Sequence, residues 1–375
     1  MGAAGITSAC AEPNTGAGKT GNSGDIFNVK DFGAKGDGKT PDSGAIQKAV
    51  DAAGKALGTV FFPMGNYRCH DIKMHPHIKL MGDPKWGYSG IAPSTALILD
   101  SEDASCIVNA TGAENAHVCG LTFFGNRKSL KTKKPVHGLM CDRGDGPFAK
   151  DCETVTIEDC KFSYMSGHGV YLNKIFVFIM RRCLCAQNGG SGTFFYGWDG
   201  YVCDNIFAGN VEHGFGGFTR ASSMMFTHNR VEWNGKYGVY AGPAGTAWGI
   251  IGNAFDHNWG AGVGLDGVQN CAVTGNTFRR NGRDAKNCVE GAETAHIAIL
   301  NAKGICVSGN SFLAIHSDGG KGAHTPDYGV WMKGAAYCNV TSNNMFNGYM
   351  KEAFKDAGGN SENLLKDNIA TARKA

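Results

Sequence analysis

Histidine and tyrosine residues recur beside a glycine at steps of 45 and 24 residues from residue 168 onward. His168, His213 and Tyr237 each directly precede a Gly that opens a short β-type run. Imidazole and phenol groups exchange protons, so a column of them can perform general acid–base catalysis. A regular repeat would place His213 and Tyr237 in neighbouring coils, roughly 5 Å apart. We therefore interpret these three residues as candidate catalytic groups.

Further chemical groups follow from the alternation of side chains along a strand. If Val170, Val239, Val263 and Val330 point inward, their neighbours point outward beside the histidine column. A carboxylate, Asp266, joins the candidate catalytic residues on this face. Aromatic faces stack on sugar rings, and cations bind carboxylate groups. The predicted substrate-binding residues are Tyr171, Trp198, Arg220, Tyr240, Trp331 and Lys333.

Two columns of asparagine reveal the repeat that positions these groups. One runs through Asn205, Asn229, Asn253 and Asn276 and continues at 310 and 343; the other runs through 188, 210, 234, 258 and 281. A fixed period in the twenties with short strands is typical of a solenoid. Gly and Asn recur too often for helical repeats, and Leu is too scarce for a leucine-rich repeat. The sequence predicts an all-β fold, a right-handed parallel β-helix whose clear coils span about 155–350.

The open ends of such a solenoid need covering because they are raw sheet edges. Residues 40–57 predict an amphipathic capping helix, with Thr40 as the N-cap, Pro41 in the first helical position and one apolar face. That face comprises Ile46, Val50, Ala53 and Leu57. The polar stretch from about 350 to 375 is predicted to cover the other end or to fray.

Composition excludes several classes of protein. The 375 residues include 56 Gly, and the formal charge of +3 with 18% charged residues lacks the clustered basic stripe of a nucleic-acid binder. No apolar run of about 18 residues could span a membrane. Most of the fourteen Cys alternate with apolar residues, and no CxxC pair occurs. They are interpreted as buried free thiols, and a Cys-based metal site is disfavoured.

The first 25 residues are predicted to be a disordered linker that includes the remnant of an export signal. Met1–Cys10 is small and weakly apolar, like the end of a bacterial lipoprotein signal with Cys10 as the lipid anchor. This interpretation places the protein outside the cytoplasm, in the periplasm, on the outer surface or secreted. Residues 26–375 are predicted to form a single β-helix domain.

Three segments near the start resemble the opening of the pectate-lyase-like superfamily. They are Phe27-Asn-Val-Lys-Asp-Phe-Gly-Ala-Lys-Gly-Asp-Gly-Lys-Thr40, Ala45-Ile-Gln-Lys-Ala-Val50 and Val60-Phe-Phe-Pro-Met-Gly-Asn-Tyr67. That superfamily includes polysaccharide lyases, family 28 polygalacturonases and phage tailspikes. With the coils, the resemblance covers about residues 26–350. It implies a substrate groove along one exposed sheet, but it does not specify the reaction.

A second resemblance concerns the groove itself. Gly167-His-Gly-Val170 is similar to the Gly-His-Gly-Ile strand of polygalacturonases, whose His lines the catalytic site. The Asn-Thr-Asp and Asp-Asp motifs that carry the catalytic carboxylates of that family have no counterpart here. This departure puts family 28 hydrolysis in doubt.

Three functions remain open from the sequence. A lyase acting on an acidic polysaccharide by β-elimination needs a base, an acid and a group that neutralises the uronate carboxylate; His213, Tyr237 and Arg220 or Lys333 can supply them. A hydrolase or transglycosidase needs two carboxylates, for which Glu232 and Asp256 lie one coil apart on another face. The third alternative is a glycan-binding or tailspike-like protein. No cofactor is predicted, and a calcium-dependent reaction lacks a dense acidic cluster.

Two longer coils are predicted to wall the groove. Their extra residues, 283–295 and 313–327, fall just before the groove strand and are rich in charge. Long loops on a rigid scaffold often carry function. They offer Glu290, Asp318 and Asp327 as possible hydrolytic partners for Asp266.

Overall fold

The computed structural model describes residues 25–83, 87–88, 94–144, 154–287, 294–316 and 323–374. Each coil contributes short strands to three sheets. The paired strands run parallel to their equivalents in the adjacent coil. The predicted fold, a right-handed parallel β-helix, is confirmed. The predicted linker 1–25 and its lipid anchor at Cys10 lie, except for Asp25, outside the described residues. No helix of the described ranges is long and apolar enough to cross a membrane.

The first sheet, called the groove sheet, carries the candidate site. Two of its strands continue round a bend into the second sheet and so join the two sheets. Its strands are Ile72–Lys73, Cys106–Asn109, His137–Asp142, Val170–Arg181, Thr193–Cys203, Phe215–Gly217, Val239–Ala241, Val263–Asp266, Ala295–Leu300, Tyr328–Lys333 and Glu352–Asp356.

The second and third sheets complete each coil. Besides the ends of the two long strands, the second sheet comprises Ile26–Asn28, Thr59–Phe62, Lys79–Gly82, Ala116–Cys119, Val155–Glu158, Ser222–Thr227, Trp248–Ile251, Ala272–Thr274, Cys306–Ser308, Asn339–Thr341 and Leu364–Lys366. The third comprises Asp37–Pro41, Gly65–Cys69, Thr95–Leu99, Thr122–Phe124, Lys161–Ser163, Leu184–Ala186, Ile206–Ala208, Arg230–Glu232, Ala254–Asp256, Thr277–Arg279, Ser311–Leu313, Asn344–Tyr349 and Ile369–Ala372. Two short 3₁₀ helices, Val29–Phe32 and Ala285–Asn287, interrupt the strands.

The predicted asparagine column forms a continuous hydrogen-bonded ladder inside the bend before the third sheet. The Oδ1 of Asn229 accepts from both the backbone N–H (2.9 Å) and the side-chain amide (3.0 Å) of Asn205. The Nδ2 of Asn229 donates to the carbonyl of Val202 at 3.0 Å. The same pattern repeats through Asn253 and Asn276 and, beyond them, through 310, 343 and 368. Each carboxamide thus satisfies buried backbone groups that the bend removes from the sheets.

A second ladder, through Asn188, Asn210, Asn234, Asn258 and Asn281, holds the bend after the third sheet in the same way. The residue before each ladder Asn has a positive φ, for example 58° at Asp204 and 66° at Gly252. This left-handed residue turns the chain through the bend. The two ladders therefore fix where each coil bends and how its strands align with the next.

The interior between the sheets is filled by apolar columns. The apolar residue two positions after each Asn of the first ladder, from Asn205 to Asn343, is buried, and the rings of Phe255, Phe278 and Phe312 stack at 5.0 Å between successive centroids. The predicted free thiols are confirmed: Cys160, Cys183, Cys271 and Cys338 are buried, and Cys306 is partly buried.

A capping helix covers the N-terminal coil, but it begins later than predicted. It spans Ser43–Ala56 with Asp42 as its N-cap, whereas Thr40 and Pro41 belong to a strand. The Asp42 carboxylate accepts from the backbone N–H groups of Lys35 and Gly36, at 2.6 and 3.0 Å, which ties the helix to the preceding loop. Ile46, Val50 and Ala53 are buried as predicted, and Ala49 joins them. The prediction that Leu57 belongs to the buried face is wrong, because Leu57 is the left-handed C-cap and is 53% exposed.

The C-terminal residues form another coil rather than a separate cap or a frayed end. Glu352–Asp356, Leu364–Lys366 and Ile369–Ala372 pair with all three sheets. Asn360, Asn363 and Asn368 donate to backbone carbonyls of the preceding coil. The repeat therefore extends beyond the predicted limit near 350.

Replacing an asparagine in the middle of the ladder should cost more stability than replacing one at its end. Asn229→Ala removes the partner of the Asn205 N–H, one of the two partners of the Asn205 amide and the side-chain donor to the Val202 carbonyl, all in a buried site. At about 1–3 kcal/mol per unsatisfied group, we expect a loss of about 3 kcal/mol or more in the free energy of unfolding. Asn368→Ala, at the partly exposed last rung, should cost about 1 kcal/mol. Urea unfolding measures both, and equal losses would contradict the ladder's structural role.

Candidate functional site

The predicted column of histidine and tyrosine lies along one edge of the groove sheet. His168, His213 and Tyr237 each stand two residues before the paired positions Val170, Phe215 and Val239. The rings of His213 and Tyr237 stack with 5.8 Å between centroids and 3° between planes. His137, one coil before His168, extends the column at 5.2 Å. The structure therefore brings His213 and Tyr237 together as predicted.

In every histidine of this column, one ring nitrogen accepts a hydrogen bond from the backbone of the next coil. The Nδ1 of His137 accepts from the N–H of His168 at 3.0 Å, and the Nδ1 of His168 accepts from the N–H of Ser191 at 2.9 Å. The Nδ1 of His213 accepts from the N–H of Tyr237 at 3.2 Å. A neutral imidazole has a single proton, so these bonds assign it to Nε2. Each ring is therefore a hydrogen-bond donor at Nε2.

Burial keeps these rings neutral. It lowers the pKa of His213 to about 3, with smaller contributions from Lys236 and His168. Burial likewise lowers the pKa of His137 to about 3 and that of His168 to about 4. The role of general base for His213 therefore stays a prediction, which this tautomer disfavours. Its Nδ1 is occupied and its Nε2 carries the proton, so it can donate but not accept.

Next to the histidines, aromatic rings form a continuous ribbon along the groove. Tyr171 stacks on Phe194 at 4.6 Å, Phe194 on Phe218 at 4.8 Å, and Phe218 packs against Tyr240 at 5.7 Å between centroids. The ring of His213 stacks on Tyr240 at 5.0 Å. The ribbon presents apolar faces of the kind that sugar rings cover, with polar atoms at its edge.

A tyrosine and a carboxylate form a hydrogen-bonded pair beside this ribbon. The hydroxyl of Tyr240 donates to Oδ2 of Asp266 at 3.0 Å. Burial raises the pKa of Asp266, and the Tyr240 bond only partly offsets this. Burial and the nearby Asp266 charge also raise the pKa of Tyr240. Asp266 is thus a stronger base than an ordinary aspartate, and the phenol proton of Tyr240 is directed at it.

A cleft of about 360 Å³ opens over these groups. Its lining combines the aromatic and imidazole rings with two cations and an amide: His213, Phe218, Lys236, Tyr237, Tyr240, Lys286 and Asn287. Lys286 and Asn287 belong to the first of the two loops predicted to wall the groove, and the 3₁₀ helix Ala285–Asn287 holds them there. Glu290 and Asp318 lie outside the described residues, and Asp327 pairs with Lys351 at 3.0 Å. The cleft is therefore basic at its rim and aromatic at its base.

Five of the six predicted substrate-binding residues do not line this cleft; of these, Tyr171 belongs to the aromatic ribbon. Trp331 is fully buried, packed with Tyr328 in a small cluster over the groove sheet, so its predicted exposure is wrong. Lys333 is exposed, but it lies two coils from Asp266 in its column. Trp198 lies past the bend, against Phe176 on the way to the second sheet. Arg220 is exposed in the turn after the Phe215–Gly217 strand, outside the cleft lining.

The sequence reasoning missed several residues of the site. His137 repeats the pattern of His168 and His213, a His and a Gly before an apolar strand residue, so pattern comparison could have found it. Phe194 and Phe218 follow from the outward column once the register is known. Lys236 and Lys286 carried no such signal, because their place depends on the course of the turn and loop.

The carboxylates proposed for the hydrolase, Glu232 and Asp256, are engaged elsewhere. Glu232 pairs with Arg230 at 2.7 Å and accepts from the Tyr88 hydroxyl at 3.0 Å. Burial opposes ionisation of Asp256, but hydrogen bonds from His257, Arg280 and Arg279 outweigh it and lower the pKa of its carboxyl. A catalytic acid needs the reverse shift, so this pair does not have the electrostatics of a glycosidase site.

Metal binding gains no support from the described residues, since none of their His, Cys, Asp and Glu side chains form a group of three or more that could hold an ion.

The fold and this groove define the class of protein. Family models match over most of the chain: rhamnogalacturonase A/epimerase, pectate lyase-like, over residues 26–266, and right-handed β-helix region over 217–374. The chain belongs to the rhamnogalacturonase A/epimerase, pectate lyase-like family. The resemblance expected from residues 27–67 is thereby confirmed.

Individual relatives include proteins of Azotobacter vinelandii. The chain is 31% identical to mannuronan C5-epimerase AlgE2 over 274 residues, which is 65% of this chain and 25% of that protein. It is 29% identical to alginate lyase 7 over 53% of this chain and 24% of that protein. The chain thus spans about a quarter of the length of these curated relatives. The solved A-module of mannuronan C-5 epimerase AlgE6 covers 93% of this chain and 100% of its own, with a TM-score of 0.60 and 21% identity.

Stability should depend on pH through His213. Its pKa is about 3 in the folded protein and near 6.5 when unfolded, so below pH 6.5 the unfolded state binds more protons. Folding free energy is therefore lost as pH falls from 6.5 towards 3, by about 1.4 kcal/mol per pH unit for this one group. The variant His213→Gln should flatten the slope by roughly that amount between pH 6 and 4 in urea titrations.

The matched control is His228→Asn, because His228 is exposed in a left-handed turn where Asn is favourable. It should leave the slope unchanged. An unchanged slope in His213→Gln would show that the His213 ring is not held neutral by the fold.

Proposed function

We propose that this protein is an enzyme that removes the proton at C5 of a uronate residue in an acidic polysaccharide and cleaves the chain by β-elimination. The observation that carries the proposal is that one cleft combines the Nε2–H donor of His213, the phenol of Tyr240 and two lysines, while Asp266 accepts a hydrogen bond from that phenol. These are the groups that proton abstraction next to a carboxylate requires.

The relatives support proton abstraction at C5 as the shared chemistry. They include a mannuronan C5-epimerase and an alginate lyase. Inversion at C5 and elimination across C4–C5 both begin with loss of the C5 proton. The substrate class that we propose, a polymer of uronate residues, also fits a cleft with cations at its rim.

In this reaction Lys236, Lys286 and His213 bind and stabilise the uronate carboxylate. Lys236 and Lys286 line the cleft, and the bond of Lys236 to Glu212 at 3.1 Å is exposed and easily exchanged for a substrate carboxylate. As the C5 proton leaves, negative charge moves onto that carboxylate. A fixed Nε2–H of His213, held by its Nδ1 bond, can donate to this charge without reorganising.

Tyr240 and Asp266 then act as the base. The phenolic oxygen of Tyr240 takes the C5 proton while its own proton passes to Asp266, whose pKa burial raises. Tyr237, stacked on both His213 and Tyr240, donates a proton to the departing O4 as the C4–O bond breaks. The products are a new reducing end and a C4=C5 double bond. Protons balance, and the next turnover requires that Asp266 and Tyr237 exchange protons with water.

Epimerisation is the second candidate, since C5-epimerases are among the relatives. It needs a proton donor on the opposite side of the sugar ring from Tyr240. Lys286 comes from a separate loop over the cleft and could return that proton. Hydrolysis is less well supported, because no carboxylate is among the described lining residues of the cleft.

A polysaccharide panel with two variants tests the proposal. Alginate and polygalacturonate are incubated in heavy water, and the ultraviolet absorbance of the C4=C5 bond and deuterium at C5 are followed. Asp266→Asn and Tyr240→Phe should each lower kcat by at least about a hundredfold, the ordinary contribution of an acid–base group. Glu232→Gln, on the third sheet, is the control and should retain activity. Deuterium at C5 without absorbance would establish the epimerase; full activity in both groove variants would overturn the assignment.

The pH dependence of kcat/KM should follow Asp266 rather than histidine. Asp266 must be ionised to accept the proton, and its pKa is raised, so activity should fall with acid at a pH above the usual carboxyl range. His213, with its pKa near 3, should add no inflection close to 6.5. A single acid limb near 6.5 that disappears in His213→Gln would show instead that this imidazole is the base.

A further inference from the structure

Two tryptophan side chains are exposed on the corner between the third sheet and the groove sheet. Trp233 directly follows the strand Arg230–Glu232, and Trp259 precedes the strand Val263–Asp266 in the next coil. Their side chains are 37% and 38% exposed. Large indoles that remain open to solvent on a rigid corner are available for contact with a ligand.

An arginine lies between the two indoles. The guanidinium carbon of Arg283 is 4.7 Å from the ring centre of Trp259 and 5.4 Å from that of Trp233. No carboxylate of the described ranges lies within ion-pair distance of Arg283, whereas Arg279 and Arg280 both pair with Asp256. The charge of Arg283 is thus held by aromatic rings, which orient it without neutralising it.

The two indoles and Arg283 together form a surface, called the platform, and the coil fixes the position of its parts. Trp233 stacks on His257 of the following coil at 3.8 Å and 14°, which fixes the plane of its ring. The equivalent position in the preceding coil is Gly209, so no side chain projects there over the indole. Trp233 itself has a φ of 58°, a conformation rare for a bulky residue. Gln187, His257 and Arg280 share this conformation at the equivalent bend of other coils.

We propose that Trp233, Trp259 and Arg283 form a second saccharide-binding site, outside the cleft, for a uronate residue of the polysaccharide. The sugar ring would stack on an exposed indole, and its carboxylate would pair with the guanidinium. The ligand class rests on the proposed function, but the existence of a binding site does not.

The site adjoins the cleft. Trp233 is three residues before Lys236, and Arg283 is three residues before Lys286, and both lysines line the cleft. A polymer bound in the cleft can therefore extend across the two lysines onto the platform. A short oligosaccharide would fill the cleft alone, so the second site should matter only for long chains.

Retardation in native gels containing alginate, polygalacturonate or neutral dextran tests binding without turnover. Trp259→Ala should weaken retardation by the preferred acidic polymer about tenfold, the size of one good aromatic contact. Arg283→Gln should remove the preference for acidic polymers over dextran. Tyr201→Ala is the matched control, because Tyr201 is 54% exposed on the second sheet; it should behave as the unmodified protein. Thermal unfolding confirms that each variant is folded.

Kinetics separate this site from the proposed reaction. On the polymer, Trp259→Ala should raise KM about tenfold with kcat unchanged, and on a trisaccharide of the same uronate neither should change. Equal retardation of all proteins, or no retardation of the unmodified protein by either acidic polymer, overturns the second site. Weakened retardation in the variants without turnover by any protein would leave the site standing and reject the proposed function instead.

Discussion

The molecule depends on one interaction, the stacking of asparagine carboxamides at the two bends of the coil. The oxygen of each carboxamide accepts hydrogen bonds from the asparagine of the coil before, and its amide donates to the backbone. These bonds measure 2.8–3.3 Å throughout both ladders. The bends are thereby fixed at the same place in coil after coil. Side chains at equivalent positions must then stack at one strand spacing. The imidazole column, the aromatic ribbon and the phenylalanine core are all consequences of that register.

The same register determines the chemistry of the histidines. A histidine at the start of a groove strand lies one strand spacing from the backbone N–H of the next coil, and its Nδ1 takes that donor. The ring is then oriented, desolvated and neutral, with its remaining proton directed away from the backbone bond. Such a histidine resembles a fixed amide donor more than a titrating base. In the reaction that we propose, the Tyr240–Asp266 pair abstracts the proton, because burial raises the pKa of the Asp266 carboxyl.

The features that could be predicted from the sequence are those that the repeat determines. The Asn columns, the inward apolar residues and the closeness of His213 and Tyr237 follow from period and alternation, and they are confirmed. The role of His213 could not be predicted, because its tautomer depends on a backbone N–H that belongs to another coil. Trp331 occupies an outward position yet is buried by its own neighbours, which alternation cannot foresee. The helix start was misplaced because Asp42 caps the loop before it and displaces Thr40.

The position of the proton on His213 tests most directly whether the register holds this ring neutral. In protein labelled with ¹⁵N-histidine, the long-range nitrogen–proton spectrum distinguishes the two neutral tautomers from the cation, and His213→Gln identifies the signal. The account predicts a neutral ring at pH 7 with its proton on Nε2, unchanged down to pH 5. A ring protonated on Nδ1, or one that becomes an imidazolium between pH 7 and 6, would contradict it, since His213 could then serve as the base.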